Sequence, residues 1–232
     1  MNEFNFSDTH IRYNPLSGEW ILVSPGRLKR PWQAEKDKTT SKASLPSYDK
    51  NCYMCPGNVR ANGIFNPDYK GIFIFDNDYP ALIPNVEHTS IDKPIYRRAK
   101  TERGICRVIC YSHEHNKTFS DLDNASIEKV IEKWIEQINE LYSYNFINYI
   151  QIFENRGGVG NSNPHPHGQI WAVETIPDEI RKEIYNKERY LKDNNSCLIC
   201  DIAKYEKEVK DLVVFENNSF ITIVPFWAVW PF

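Results

Sequence analysis

From residue 123 onward the apolar positions Ile127, Val130, Ile131, Trp134, Ile138 and Leu141 recur at i, i+3, i+4, i+7 spacing, which places them on one face of a helix, with Asp123 or Asn124 as its N-cap. Elsewhere the apolar runs are shorter and rich in β-branched and aromatic residues. GIFIFDNDYPALIP (71–84) predicts two short strands broken at Asp76-Asn77-Asp78, and ICRVICY (105–111), YIQIFEN (149–155) and QIWAVE (169–174) predict one strand each. The glycine-rich RGGVGNSN stretch makes a turn between the last two. PDEIRKEIYNKERYLK (177–192) predicts a second helix with proline at its first helical position, and the polar residues 31–50 predict a surface loop. The pattern gives an α+β fold: an antiparallel sheet flanked by helices.

An internal repeat overlies this pattern. Cys197-Leu-Ile-Cys200 reproduces the spacing of Cys52-Tyr-Met-Cys55 at an offset of 197 − 52 = 145 residues, and DLVVFENNSFITIVPF (211–226) echoes GIFIFDNDYPALIP in the same place after it. The first copy continues to a histidine motif, whereas the second stops at Phe232 in an aromatic run, FWAVWPF. Chain ends are ordinarily polar and frayed, so the expectation is a domain interrupted in mid-strand. Its exposed apolar face and unpaired strand edge would favour aggregation.

Composition narrows the classes. With 41% hydrophobic and 25% charged residues the chain has an ordinary globular make-up. A net charge of −3 gives no general basic surface, which argues against nucleic acid or an anionic membrane as the main partner. The basic clusters are local, at Arg27, Lys29 and Arg30 and again at Arg97, Arg98, Lys100 and Arg103. No apolar run reaches membrane-spanning length and MNEFNFSDTH lacks the features of a signal peptide, so the expectation is a cytoplasmic protein. In that reducing compartment the six cysteines are metal ligands, redox thiols or buried thiols rather than disulfides.

Candidate chemistry concentrates in NPHPHGQIW (163–171). Pro164 and Pro166 hold Asn163 and His165 extended, and alternation then puts His165, His167 and Gln169 on one face. Histidines on a strand are ordinarily solvated or hydrogen-bonded; a proline-locked pair beside a glycine turn favours chemistry. Cys52 and Cys55 have zinc-knuckle spacing, but a tetrahedral site needs two more ligands, for which His113, His115 and His165 are candidates. A redox pair would open a helix after a strand, and Pro56-Gly57-Asn58 is a turn instead. Cys106 and Cys110 share a strand face and read as buried thiols.

The segments RYNPLSGEWILVSPGRLKRPWQ (12–33), CYMCPGNVR (52–60), FDNDYPAL (75–82), FENRGGVGNSNPHPHGQIWA (153–172) and VPFWAVWPF (224–232) together closely resemble the galactose-1-phosphate uridylyltransferases, of the histidine-triad superfamily. The resemblance implies a histidine-triad-like half over residues 1–192 and the start of a second repeat over 193–232. It implies zinc held by Cys52, Cys55, His115 and His165, with His115 preferred because it stands five positions after Cys110. His167 becomes the nucleophile that takes uridylyl from UDP-glucose and passes it to galactose 1-phosphate, the step that belongs to galactose metabolism. Gln169, Ser162, Asn155 and the amide of Gly160 would meet charge on the α-phosphoryl group. Asn77 and Asp78 would contact ribose, and Phe75 and Met54 uracil. Without the resemblance, Asn77 and Asp78 read as turn residues. Arg27 and Arg30 would reach substrate phosphates from a neighbouring subunit of a homodimer, and Glu183 would belong to a second metal site, iron or zinc, whose other ligands lie later in the family's longer chain. The same resemblance leaves an adenine-nucleotide phosphorylase, or an inactive zinc-stabilised nucleotide-binding fragment, as alternatives. Because second-repeat residues supply most sugar contacts, the chain alone is expected to bind nucleotide but to be poorly soluble or inactive in full exchange.

Overall fold

A computed structural model describes residues 4–29, 45–93, 96–156 and 163–229. Contacts divide the chain into two compact units, Lys36–Ile176 and a second made of Met1–Glu35 with Pro177–Phe232.

The unit Lys36–Ile176 is built on a four-stranded antiparallel sheet. In chain order its strands are β3 (Phe73–Asp76), β6 (Gly104–Cys110), β7 (Tyr149–Phe153) and β8 (His167–Val173), arranged β3-β6-β8-β7. Strand alternation explains both faces. Ile105, Ile109, Ile170 and Ala172 turn to one side and bury against Val130 and Leu141 of helix α1 (Asn124–Leu141). Arg107, on the same side, ties the sheet to α1 through bonds of 2.6 Å to Gln137 and 2.7 Å to Glu140. Phe75, Val108 and Cys110 turn to the other side and bury with Cys52, Met54, Cys55 and Tyr69. Helix α1 follows the predicted period, and its N-cap is Asp123, whose carboxylate accepts from the Ser126 amide at 2.8 Å.

Close packing at Gly168 leaves no room for a side chain on β8. A Cβ at Gly168 would stand 2.0 Å from the Tyr111 hydroxyl and 3.0 Å from the Phe153 carbonyl. Gly168→Ala is therefore expected to cost about 1–3 kcal/mol of stability as an overpacking change. Denaturant titration would measure this loss, and Tyr111→Phe in the same chain should recover part of it.

Three expectations are corrected here. Residues 79–89 contain no strand, because Pro80 and Pro84 withdraw amide donors from any ladder, so only the first of the two strands predicted over 71–84 forms. The helix predicted from Pro177 is α2 (Asp178–Asn194), with Pro177 at its N-cap rather than inside it. β8 begins at His167 rather than Gln169. A basic hairpin, β4 (Ser90–Lys93) with β5 (Arg97–Lys100), was not foreseen.

The other unit carries the hairpin β1 (His10–Asn14) and β2 (Glu19–Val23), the helix α2, the helix α3 (Leu198–Val209), and the hairpin β9 (Val213–Glu216) and β10 (Ile221–Ile223). The last hairpin falls within the predicted echo, yet residues 71–84 hold one strand rather than a hairpin, so the two copies differ there. The cysteine echo differs in setting: Cys52 and Cys55 sit in tight turns, whereas Cys197 caps α3 and Cys200 lies in its first turn, both exposed. Among the described residues no helix is long and apolar enough to cross a membrane.

Candidate active site

The turns around Cys52 and Cys55 are latched by two asparagine side chains. Asn58 donates to the carbonyls of Asp49 and Cys52, and Asn66 to those of Tyr53 and Cys55, at 2.8–3.0 Å. His115 comes from the turn after β6, anchored by its amide to the Ser47 carbonyl at 2.8 Å. His165 comes from the proline-held segment before β8, its amide bonded to the Asn163 side chain at 2.9 Å. These pieces bring Cys52, Cys55, His115 and His165 together, fully buried, with all four ligand atoms within 4.8 Å of one another. The Cys55 sulfur lies 3.6 Å from Nδ1 of each histidine. A tetrahedral zinc ion, with bonds of about 2.3 Å to sulfur and 2.0–2.1 Å to nitrogen, implies a sulfur–nitrogen separation of roughly 3.5–3.6 Å. The residues fit the ion.

The protonation pattern fits too. Nε2 of His165 lies 2.9 Å from the Ser112 carbonyl, which only accepts, so the proton sits on Nε2 and Nδ1 is bare towards the sulfur. Tyr69 supports the same ring at 3.1 Å while donating to the Met54 carbonyl at 2.6 Å. Burial pushes His165 down to about 4, keeping it neutral, as a ligand must be. Burial, reinforced by Cys52, pushes the Cys55 thiol up to about 11, so a thiolate there calls for a bound cation. His113 is exposed and accepts from the Gly71 amide at 3.3 Å, which removes it from the ligand set that the sequence left open. Cys106 and Cys110 are buried thiols, as expected.

Two residues after the buried His165 stands a half-buried imidazole with a different fate. Nδ1 of His167 lies 2.8 Å from the His165 carbonyl. The carbonyl accepts, so Nδ1 carries the proton and the Nε2 lone pair is left for chemistry. His167 and Gln169 line a cavity of about 310 Å³ together with Met54, Phe75, Asn77 and Asp78. Tyr53, Ala61, Tyr79 and Val108, which the sequence did not single out, complete its wall. Gln169 has a fixed orientation: the indole N–H of Trp171, on the same face of β8, donates to its Oε1 at 3.1 Å. An indole nitrogen only donates, so the amide NH2 is the group Gln169 keeps for a ligand. A larger cavity of about 910 Å³ occurs in the other unit, but its walls are mostly apolar and carry neither histidine nor cysteine.

The remaining expected residues are scattered. Asn77 forms the turn foreseen for it, its Oδ1 accepting from the Tyr79 amide at 3.0 Å. Asp78 instead faces a buried arginine, Arg60. Asn155 is exposed beyond the end of β7 and does not line the cavity. Arg27 is exposed in a short 3-10 helix of the other unit, Pro25–Lys29. Glu183, on α2, pairs with Lys187 at 3.6 Å, and among the described residues no metal-ligand cluster forms around it. Arg30, Gly160 and Ser162 lie outside the described residues.

An antiparallel sheet with a buried Cys2His2 set on one face, and an imidazole at a cavity wall two residues after the last ligand, defines an α+β protein that couples a candidate metal site to a candidate nucleophile. Comparison with known proteins narrows the class. Residues 2–177 match the N-terminal domain of galactose-1-phosphate uridyl transferase and residues 183–232 its C-terminal domain, and the chain belongs to this family. The galactose-1-phosphate uridylyltransferase of Haemophilus influenzae is 44% identical over 227 residues, covering 96% of this chain and 63% of the relative. The Saccharomyces cerevisiae enzyme is 41% identical over 244 residues, covering 99% and 66%. The chain thus spans just under two thirds of these relatives' length. A solved uridylyltransferase structure superposes with a TM-score of 0.67 at 28% identity, covering 95% of this chain and 63% of that one. An Arabidopsis thaliana ADP-glucose phosphorylase solved with bound ADP-glucose shares the fold, with a TM-score of 0.67 at 23% identity.

Proposed function

We propose that this chain binds UDP-glucose in the cavity beside His167 and takes the uridylyl group onto that imidazole, for delivery to galactose 1-phosphate. The observation that carries the reading is the unequal fate of the two histidines: His165 is tied into the buried ligand set, while His167 keeps a lone pair at a cavity wall. In the first half-reaction Nε2 forms a bond to the α-phosphorus as the bridging phosphorus–oxygen bond breaks, and glucose 1-phosphate leaves with the electron pair on its phosphate oxygen. The proton stays on Nδ1 and is donated to the His165 carbonyl, which steadies the imidazole as it becomes cationic. In the second, a phosphate oxygen of galactose 1-phosphate attacks phosphorus and the nitrogen–phosphorus bond breaks, returning the neutral ring.

The Gln169 NH2 is placed to meet charge on the phosphoryl oxygens, with Ser162, Asn155 and the Gly160 amide as the other assigned donors. Asp78 and Asn77 take the ribose, with Phe75 and Met54 against the base. Arg27 and Arg30 would meet phosphate from the neighbouring subunit of a homodimer, and Glu183 would join a second metal site, iron or zinc. Zinc bound to Cys52, Cys55, His115 and His165 supplies a cross-link that fixes the backbone carrying His167. Residues 1–192 would form the histidine-triad-like half and 193–232 open the second repeat, a reading supported by the repeated Cys-x-x-Cys spacing in the sequence. Six cysteines outside any disulfide suit a cytoplasmic setting.

Binding competition between UDP-glucose and ADP-glucose tests the base. Preference for ADP-glucose would transfer the site to adenine nucleotides, and binding of neither would leave a zinc-stabilised fragment. Gln169→Ala is expected to slow loading of the uridylyl group about 10²–10³-fold, in the range for one oxyanion donor. Quenched-flow measurement of label uptake checks this, and an unchanged rate would remove Gln169 from the mechanism.

A further inference from the structure

We propose that Arg60 is a positioning residue that aims the Asp78 carboxylate at a ribose diol and so sets the cavity's preference for ribonucleotides; this rests on the nucleotide reading of the cavity given above. The side chains of Arg60 and Asp78 are only 10% and 6% exposed, and Nη1 stands 3.4 Å from Oδ1. The pair is close without being bonded: Nε and Nη1 of Arg60 and Oδ1 of Asp78 have no hydrogen-bond partner. Buried charged groups left unsatisfied are costly and rare, so packing alone does not account for them. Asp78 lines the cavity; with Oδ1 enclosed against Arg60, its other carboxylate oxygen is the one left to accept from a hydroxyl donor. The adjacent hydroxyls of a ribose supply such donors as a pair, whereas an ionised phosphate oxygen only accepts.

Arg60 is built to hold that carboxylate. Its amide and carbonyl close a tight turn, bonding Ile64 at 2.9 Å and Gly63 at 3.0 Å. Its guanidinium lies over the Phe75 ring at 4.4 Å. Phe75 in turn stacks on Phe73 at 5.3 Å, and Phe73 on Tyr69 at 4.8 Å. The cation is thus located from below by an aromatic column and from the side by a turn, with Asp78 as its charged neighbour. A planar guanidinium can stack and reach the carboxylate together, which a lysine ammonium does not reproduce.

The test compares dissociation constants of UMP and 2′,3′-dideoxy-UMP for the full zinc-loaded chain, by calorimetry, in the wild type and in Arg60→Lys, Arg60→Met and Asp78→Asn. The wild type is expected to prefer UMP by about 10- to 100-fold, the range for hydrogen bonds to a charged group. Both arginine variants are expected to bring that ratio to within about threefold while leaving dideoxy-UMP binding and metal content unchanged, and Arg60→Met added to Asp78→Asn should lose nothing further. A structural role would instead weaken both nucleotides by the same factor or lower the metal content. Either result, or variants that keep the wild-type ratio, overturns the assignment. Equal wild-type affinity for the two nucleotides also overturns it, while leaving uridine binding standing. Failure of the wild type to bind either one rejects the uridine reading itself, and the role of Arg60 with it.

Discussion

Replacing His167 with glycine is expected to abolish retention of label from UDP-glucose carrying radioactive phosphorus in its uridylyl group, a loss on the order of 10⁴-fold or more, as when a nucleophile is deleted from an enzyme. The physical reason is that, among the described residues, no other imidazole lines the cavity. His165 spends Nδ1 on the ligand set and Nε2 on the Ser112 carbonyl, and His115 is buried in the same set. Tyr69 is pushed far above its usual range, chiefly by burial, and is no nucleophile near neutral pH. The substitution lies at the edge of the packed layer, since His167 is half-buried, so folding and metal content should survive. Calorimetry with UMP should still show binding, because the assigned ribose and base contacts are intact. Label that stays on the glycine variant would place the chemistry elsewhere.

The second large effect is expected from the ligand set. Cys55 is joined through the site to His115 and His165, 60 and 110 residues away, so an ion there closes long loops around turns that have little regular structure of their own. Structural zinc contributes apparent binding energies of about 10–16 kcal/mol in small domains, against total stabilities of about 5–15 kcal/mol. A loss of even about 5 kcal/mol lowers a melting temperature by roughly 10–20 °C in a chain of this size. Chelation, or Cys55→Ser, is therefore expected to lower melting of the Lys36–Ile176 unit by at least that amount and to end label uptake. Cys106→Ser, outside the ligand set, should leave the metal content at one ion per chain. Calorimetric melting with and without chelator checks both statements, and an unmoved transition would show that the cluster is a packed thiol core rather than a metal site.

Local patterns were legible in the sequence where periodicity and side-chain chemistry agreed. The α1 face from Ile127 to Leu141 is strongly periodic, and the Pro-His-Pro-His segment constrains its own backbone. Residues 198, 202, 205 and 209 also carry a helical period, yet no helix is predicted there, because the cysteine spacing drew attention to the repeat instead. The strand expected over the second half of 71–84 failed on its prolines. The choice between His113 and His115 needed tertiary burial, since both stand in the same short turn and differ in whether they face solvent or sulfur. At Asn77 and Asp78 the turn reading and the binding reading divide between neighbours: Asn77 makes the turn, and Asp78 meets a charged partner. That partner, Arg60, lies within a quoted motif, but its pairing is long-range and no local pattern points to it. The Trp171 bond to Gln169 is different, because alternation along a strand already places the two on one face.

Intact-mass measurement under native conditions, on zinc-loaded chain mixed with UDP-glucose, tests the division of labour between the two histidines most directly. The prediction is a species carrying one metal ion and one uridylyl group, with peptide mapping placing the group on His167. An adduct mapped to any other residue, an adduct that appears only after the metal is lost, or no adduct at all would contradict it.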